Sequence, residues 1–246
     1  MAPAAGGQVT RAGGNPPGRP RSAGIGATYE AFTNYLGWHE QEAGKTMALA
    51  AYGNPGAYPE PLFDTDGPAV SGRLRHTHER GAADLAARAG WDFGPPGSRG
   101  GDPRGTDAAA YLQAQTTTAL CQLAGSCVAA TGLPDLCLPD LCLAGGVALN
   151  CVAADQVRRL PAVRSYFAPP PASDRGQALG CALIGWHQLT GQLPRRPLAG
   201  DSLGRHYTDT EIEQALRRDP RSGLVERRRV PFAWRREQDI AAAAPR

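Results

Sequence analysis

The chain has 246 residues with 26 basic and 23 acidic side chains, a net charge of +3, and 31 glycines and 22 prolines. That length holds one domain of ordinary core size, or one and a half small ones. So small a charge, with no basic cluster interleaved with aromatics, argues against a nucleic-acid partner, and no apolar run approaches a membrane span.

Residues 1–22 are Gly, Pro, Ala and Arg with scarcely an apolar side chain. They cannot bury enough surface to offset ordering and are expected to be disordered. They hold no continuous apolar stretch of the kind a secretory signal needs, so the chain reads as cytoplasmic. A folded domain is expected over 23–193, then a linker and tail over 194–246. Residues 29–36 and 45–51 read as short helices. Lys45 is the only lysine in the chain. A compact ammonium reaches a phosphate where a planar guanidinium does not fit, which makes Lys45 a candidate nucleotide contact. Chance survival of one surface lysine is the alternative reading. Residues 54–106 read as mostly loop, broken by a helix over 81–89, and the Gly/Pro/Arg-rich 95–105 is expected to be mobile. His76 and His78 lie among Arg73, Arg75 and Arg80, where repelling cations favour a solvated loop over a metal site.

The longest helix is predicted over 107–131, with Leu112, Thr116, Leu120, Leu123 and Cys127 on one apolar face. Then Leu133-Pro134-Asp135-Leu136-Cys137 repeats at once as Leu138-Pro139-Asp140-Leu141-Cys142. The second copy adjoins a glycine turn and is expected to hold the strand register, with the first pushed out as a loop. Residues 141–144 read as a short buried strand, Gly145 and Gly146 as a tight turn, and 147–159 as a helix. Two glycines at a strand-to-helix turn let backbone approach a ligand, and the helix start behind them suits a phosphate. A second junction follows, Ala168-Pro169-Pro170-Pro171-Ala172-Ser173-Asp174-Arg175-Gly176-Gln177, with Asp174 at the helix mouth. Asp174 and Gln177 also fit a capping box. The strands near 140–144 and 163–168 are expected to pair in parallel across the intervening helix. Residues 178–189 read as an apolar helix ended by Gly191, and Thr208 as the cap of a last short helix. The six cysteines, at 121, 127, 137, 142, 151 and 181, lie in apolar company with no Cys-x-x-Cys pair, and read as buried free thiols.

Four ordered motifs carry a resemblance. Gly145 to Ala153 reads Gly-Gly-Val-Ala-Leu-Asn-Cys-Val-Ala. Asp174, Gly176, Ala178, Leu179 and Gly180 follow as Asp-x-Gly-x-Ala-Leu-Gly. Upstream stand Gly44-Lys45-Thr46-Met47-Ala48-Leu49-Ala50-Ala51-Tyr52-Gly53, and Tyr29 with Thr33 to Gly37. Phe93-Gly94-Pro95-Pro96 and Asp107-Ala108-Ala109 fall in the same order. Together they resemble the O-carbamoyltransferase family of nodulation and antibiotic biosynthesis, over about 24–216; Ala144 departs from the family's usual triple glycine. The resemblance implies an α/β fold, part of an actin-like ATPase domain (sugar kinase/Hsp70 type, ASKHA) similar to the tRNA threonylcarbamoyltransferase subunit.

It also implies a reaction. A carbamoyl group from carbamoyl phosphate passes through an ATP-derived carbamoyl-adenylate to a hydroxyl of a sugar or secondary metabolite. The adenylate is made by a separate YrdC-like domain, which becomes an expected partner. Lys45, Gly145, Gly146, Asn150 and Gly176 would face the nucleotide, with Asn150 presenting its amide. Asp174 would be one ligand of an iron or other divalent metal ion. The family's His-x-x-x-His pair does not occur among the five histidines, nor does its Phe-Gly-Pro-Arg-Ala-Leu-Gly signature. The chain therefore reads as a fragment clipped at both ends. Two other readings stay open: a non-catalytic nucleotide-binding remnant or subunit, and a tRNA threonylcarbamoyltransferase-like enzyme.

Overall fold

The computed structural model describes residues 24–76, 78–132, 139–192 and 204–218. The expected disorder of 1–22 and the first Leu-Pro-Asp-Leu-Cys copy lie outside the described residues. The chain divides into two units, Met1–Pro197 and Leu198–Arg246.

The first unit is built on its longest helix, α4 (Pro103–Ala130). Twenty-eight residues at 1.5 Å each make it about 42 Å long. It starts four residues before the expected point because Asp102 caps it, accepting the Arg104 N–H at 2.9 Å. Pro103 follows at the first helical position, where a missing N–H costs nothing. Leu112, Thr116 and Leu120, one turn apart, are all buried, as the periodicity requires.

The first half of α4 meets α1 (Ile25–Tyr35), α2 (Ala43–Leu49), and a hairpin of β1 (Phe63–Asp66) and β2 (Ala69–Gly72). With α3 (Glu79–Ala89), which packs on α1, these elements close the main core. Phe32, Tyr111 and Leu112 are fully buried, each contributing about 1.5–3 kcal/mol of transfer free energy. Aromatic rings fill the centre: Tyr58 stands edge-on to Phe93 at 4.9 Å and to Tyr111 at 5.3 Å between centroids. The Thr46 hydroxyl ties α2 to α1 by donating to Thr33 at 3.0 Å, and Thr33 in turn donates to the Tyr29 carbonyl within α1 at 2.9 Å.

Two expectations for 54–106 need correction. The antiparallel hairpin β1–β2 was not legible, since its strands read Phe-Asp-Thr-Asp and Ala-Val-Ser-Gly with little apolar alternation. Gly67, at φ +54°, opens its two-residue turn. The stretch 95–105, expected to be mobile, is tied to the end of α1. Gly97 and Arg99 donate backbone N–H bonds to the carbonyls of Tyr35 and Leu36 at 2.8 and 2.9 Å. Those carbonyls have no partner inside the helix, so the loop completes its last turn.

The second half of α4 packs on α5 (Cys151–Arg158) around Leu120, Ala124, Ala153 and Val157. Beside them β3 (Asp140–Cys142) and β4 (Ser165–Phe167) pair in parallel, Leu141 opposite Tyr166. The second Leu-Pro-Asp-Leu-Cys copy supplies β3, as its contiguity with the glycine turn required. The strand expected to be buried is only half so. Leu141 and Tyr166 pack toward α4 and α5, while Asp140, Cys142, Ser165 and Phe167 are exposed.

After β4 comes α6 (Gln177–Thr190), ended at Gly191 in the left-handed conformation, φ +69°. None of its residues is buried, and Ile184, Trp186 and Leu189 are exposed. The cysteines are corrected with it. Cys142, Cys151 and Cys181 are exposed and Cys121 and Cys127 half-buried; Cys142 alternates with Leu141, which packs on the core, and so lies on the other face of the strand. Cys137 lies outside the described residues. No helix among the described residues is long and apolar enough to cross a membrane. The second unit contains α7 (Asp209–Arg218). Thr208 caps it, accepting the Glu211 N–H while Glu211 accepts the Thr208 N–H, a reciprocal box.

Candidate functional site

The two strand-to-helix junctions leave the same ends of adjacent parallel strands. In open α/β sheets, ligands bind beyond the carboxyl ends of the strands, where loops diverge. The chain bends back after β3 through Gly145, at φ +100° and ψ 168°, a conformation that side chains disfavour. A 3-10 turn, Gly146–Leu149, then leads into α5. The start of that turn has no side-chain cap. A Cβ at Gly145 or Gly146 would meet nothing within 4 Å. The backbone there is open to an incoming group.

The loop after β4 comes back to touch the first junction. Gly145 donates its N–H to the Ala172 carbonyl at 2.8 Å, and Leu143 donates to the Phe167 carbonyl at 3.0 Å. Asp174 opens a 3-10 turn, Asp174–Gly176, and is exposed. Neither that turn nor α6 takes a side-chain cap, so the capping box of Asp174 and Gln177 does not form. Gly176 has a packing reason of its own, since a Cβ would sit 2.1 Å from the Pro171 carbonyl oxygen. His76 and His78 are exposed.

Lys45 lies elsewhere. It is on α2, which packs on α1 and α4, and its exposed ammonium pairs with Glu42 one turn earlier. It makes no hydrogen bond or ion pair with either junction among the described residues. Asn150 is buried and its carboxamide turns inward. Its Oδ1 accepts the Ala153 N–H at 3.0 Å, capping α5, and its Nδ2 donates to Gln113 Oε1 at 3.0 Å. Gln113 and its partner Tyr29 were invisible as site residues, because they stand 37 and 121 positions from Asn150 and only the fold joins them.

Two shallow cavities open in this unit, and neither is lined by the junctions. One, of about 290 Å³, lies between the hairpin and α4 beside Phe63, Asp64, Gln115 and Gln122. The other is bordered by Tyr52, Gly100, Gly101 and Asp107. Among the described residues no group of three or more His, Cys, Asp or Glu is placed to hold a metal ion. Asp174 offers one carboxylate, and a metal site needs several ligands at once. The residues described here do not by themselves fit a metal.

The comparisons bear on this arrangement. A family model described as the carbamoyltransferase N-terminus matches residues 18–183, which include both junctions. An uncharacterised protein of Synechocystis is 33% identical over 207 residues, covering 78% of this chain and 33% of that protein. The nodulation protein NolO of Bradyrhizobium diazoefficiens is 30% identical over 208 residues, 79% of this chain and 34% of its own length. The nodulation protein NolNO of Sinorhizobium fredii is 29% identical over 208 residues, 80% and 28% respectively. The chain spans about a third of the length of these curated relatives. It belongs to the carbamoyltransferase family.

Proposed function

We propose that the chain is part of an O-carbamoyltransferase that moves a carbamoyl group from carbamoyl phosphate, by way of carbamoyl-adenylate, to a hydroxyl of a sugar or secondary metabolite. The observation that carries this is the joined pair of junctions at the carboxyl ends of β3 and β4. In this reading the parallel pair and its crossover helix belong to an actin-like ATPase core. The residues around Gly145 and Gly146 bring backbone N–H groups to the phosphate of the adenylate. In the transfer the acceptor hydroxyl gives up its proton to solvent as its oxygen bonds to the carbamoyl carbon, the bond from that carbon to the phosphate oxygen breaks, and AMP leaves. Charge grows on the carbonyl oxygen and on the departing phosphate, and fixed N–H donors stabilise such charge without reorganising. No step is assigned to a metal here, since Asp174 stands alone. A YrdC-like domain is the proposed source of the adenylate.

A second reading, a non-catalytic nucleotide-binding subunit, is favoured by that lone carboxylate. Similarity to nodulation proteins supports the first reading over a tRNA threonylcarbamoyltransferase-like enzyme. Titration calorimetry of the chain with ATP tests the shared element. Binding to the wild type should be weakened at least about tenfold by Gly146→Val, whose side chain would occupy the open approach. Equal binding by both proteins would remove the site.

A further inference from the structure

Behind the glycine turn lies a buried chain of polar side chains that spans three elements. Gln113, on α4, is 7% exposed and Asn150, at the start of α5, is 9% exposed. Their carboxamides pair face to face. Gln113 Nε2 donates to Asn150 Oδ1 at 3.1 Å, and Asn150 Nδ2 donates to Gln113 Oε1 at 3.0 Å. Tyr29, on α1, donates its hydroxyl to the same Gln113 Oε1 at 2.9 Å. Gln113 Nε2 also donates to Thr117 Oγ1 at 3.2 Å, whose own proton goes to the Gln113 carbonyl.

We propose that Gln113 is a positioning residue for the glycine turn, and that Asn150 serves the site by being held in the core and not by touching the ligand. The proposal rests on reading that turn as a nucleotide site.

The polarity of the network has one solution. The Ala153 N–H can only donate, so the Asn150 atom facing it must be the oxygen. That sets Nδ2 toward Gln113, which must then present its own oxygen. With Oε1 fixed, the Tyr29 hydroxyl must be the donor. Burial holds the Tyr29 phenol well above its ordinary pKa, so the proton needed for that bond stays in place. Flipping either amide would set donor against donor and oxygen against oxygen, and buried polar groups left unpaired are costly.

The consequence reaches the turn through two bonds. Asn150 donates its N–H to the Val147 carbonyl at 3.0 Å, and Ala148 donates to the Gly145 carbonyl at 3.0 Å. Fixing the Asn150 side chain fixes the residue that closes the turn. The turn is thereby referenced to α4 and α1, which carry the main core, and not only to the two-stranded β3–β4 sheet. Preorganised binding groups need such support from residues that do not touch the ligand.

The test uses the full chain with Gln113→Met, Tyr29→Phe and, as a matched core control, Leu85→Ala in α3. Hydrogen exchange should quicken about tenfold or more at the amides of Ala148, Asn150 and Ala153 in Gln113→Met, relative to amides in α3. Tyr29→Phe should give a smaller effect in the same places, whereas Leu85→Ala should quicken the α3 amides more than those three. Unchanged relative exchange in Gln113→Met and Tyr29→Phe would overturn the proposal. In parallel, the ATP dissociation constant should rise about tenfold in Gln113→Met and stay within about twofold in Leu85→Ala. If Gly146→Val abolishes ATP binding while Gln113→Met leaves it within about twofold, the nucleotide site stands and the positioning role falls. If the wild type binds no ATP, the nucleotide reading falls, and the exchange pattern alone decides whether Gln113 holds the turn.

Discussion

Gly145 and Ala172 are joined by one backbone hydrogen bond of 2.8 Å, which closes the turn after β3 onto the loop after β4. The bond requires Gly145 to sit at φ +100°, where a side chain is strained whatever the space around it. Two neighbouring glycines therefore have different reasons to be glycine.

Gly145→Ala should destabilise the unit by about 1–3 kcal/mol through backbone strain. Gly146→Ala should stay within about 1 kcal/mol, because its Cβ would point into open space and its φ is not positive. Urea unfolding of the two variants separates them; equal losses would mean the strain argument is wrong.

Acid should weaken the parallel pair by a predictable route. Arg164 and Ser165 hydrogen-bond the Asp140 carboxyl and hold its pKa down at about 2, against 3.8 ordinarily. A pKa lowered by folding adds stability above the unfolded value, and that stability is lost as pH falls from about 4 through about 2. Asp140→Asn should therefore lower Tm at pH 6 and converge with the wild type near pH 2. Parallel Tm curves across that range would show that the pair contributes nothing.

Buried and exposed leucines of the unit should respond differently to substitution. Leu112, at 0% exposure, should cost about 2–5 kcal/mol on replacement by alanine. Leu189, at 87%, should tolerate Leu189→Asp within about 0.5 kcal/mol. Trp186, at 53% exposure, should fluoresce near the solvent-exposed limit. A large loss at Leu189 would show that α6 is covered in solution.

Asp174 caps nothing, so Asp174→Asn in this chain should change stability by less than about 0.5 kcal/mol. In a family member that carries the His-x-x-x-His pair, the ligand reading predicts a different loss. Metal content and carbamoyl transfer should collapse while folding is kept, since an amide oxygen is a poorer ligand than a carboxylate. Survival of both would leave Asp174 without a metal role.

Local pattern alone determined the elements whose signals lie within a few residues. The apolar spacing of Leu112, Thr116 and Leu120 announced α4, Gly191 the end of α6, and Thr208 the cap of α7. The contiguity of the second Leu-Pro-Asp-Leu-Cys copy with Gly145 placed β3, and the run from Gly145 to Gly180 pointed to the family. What the fold alone decided depends on partners far apart in the chain. The hairpin was hidden because Phe63 and Asp64 find Gly72 and Ser71 across a turn, with no alternation to betray the pairing. The loop at 95–105 has the composition of a mobile segment, and free carbonyls at the end of α1 hold it. Asn150 has the chemistry of a ligand contact, and its orientation was settled by Gln113, 37 residues earlier, because a buried amide turns toward whichever groups complete its hydrogen bonds.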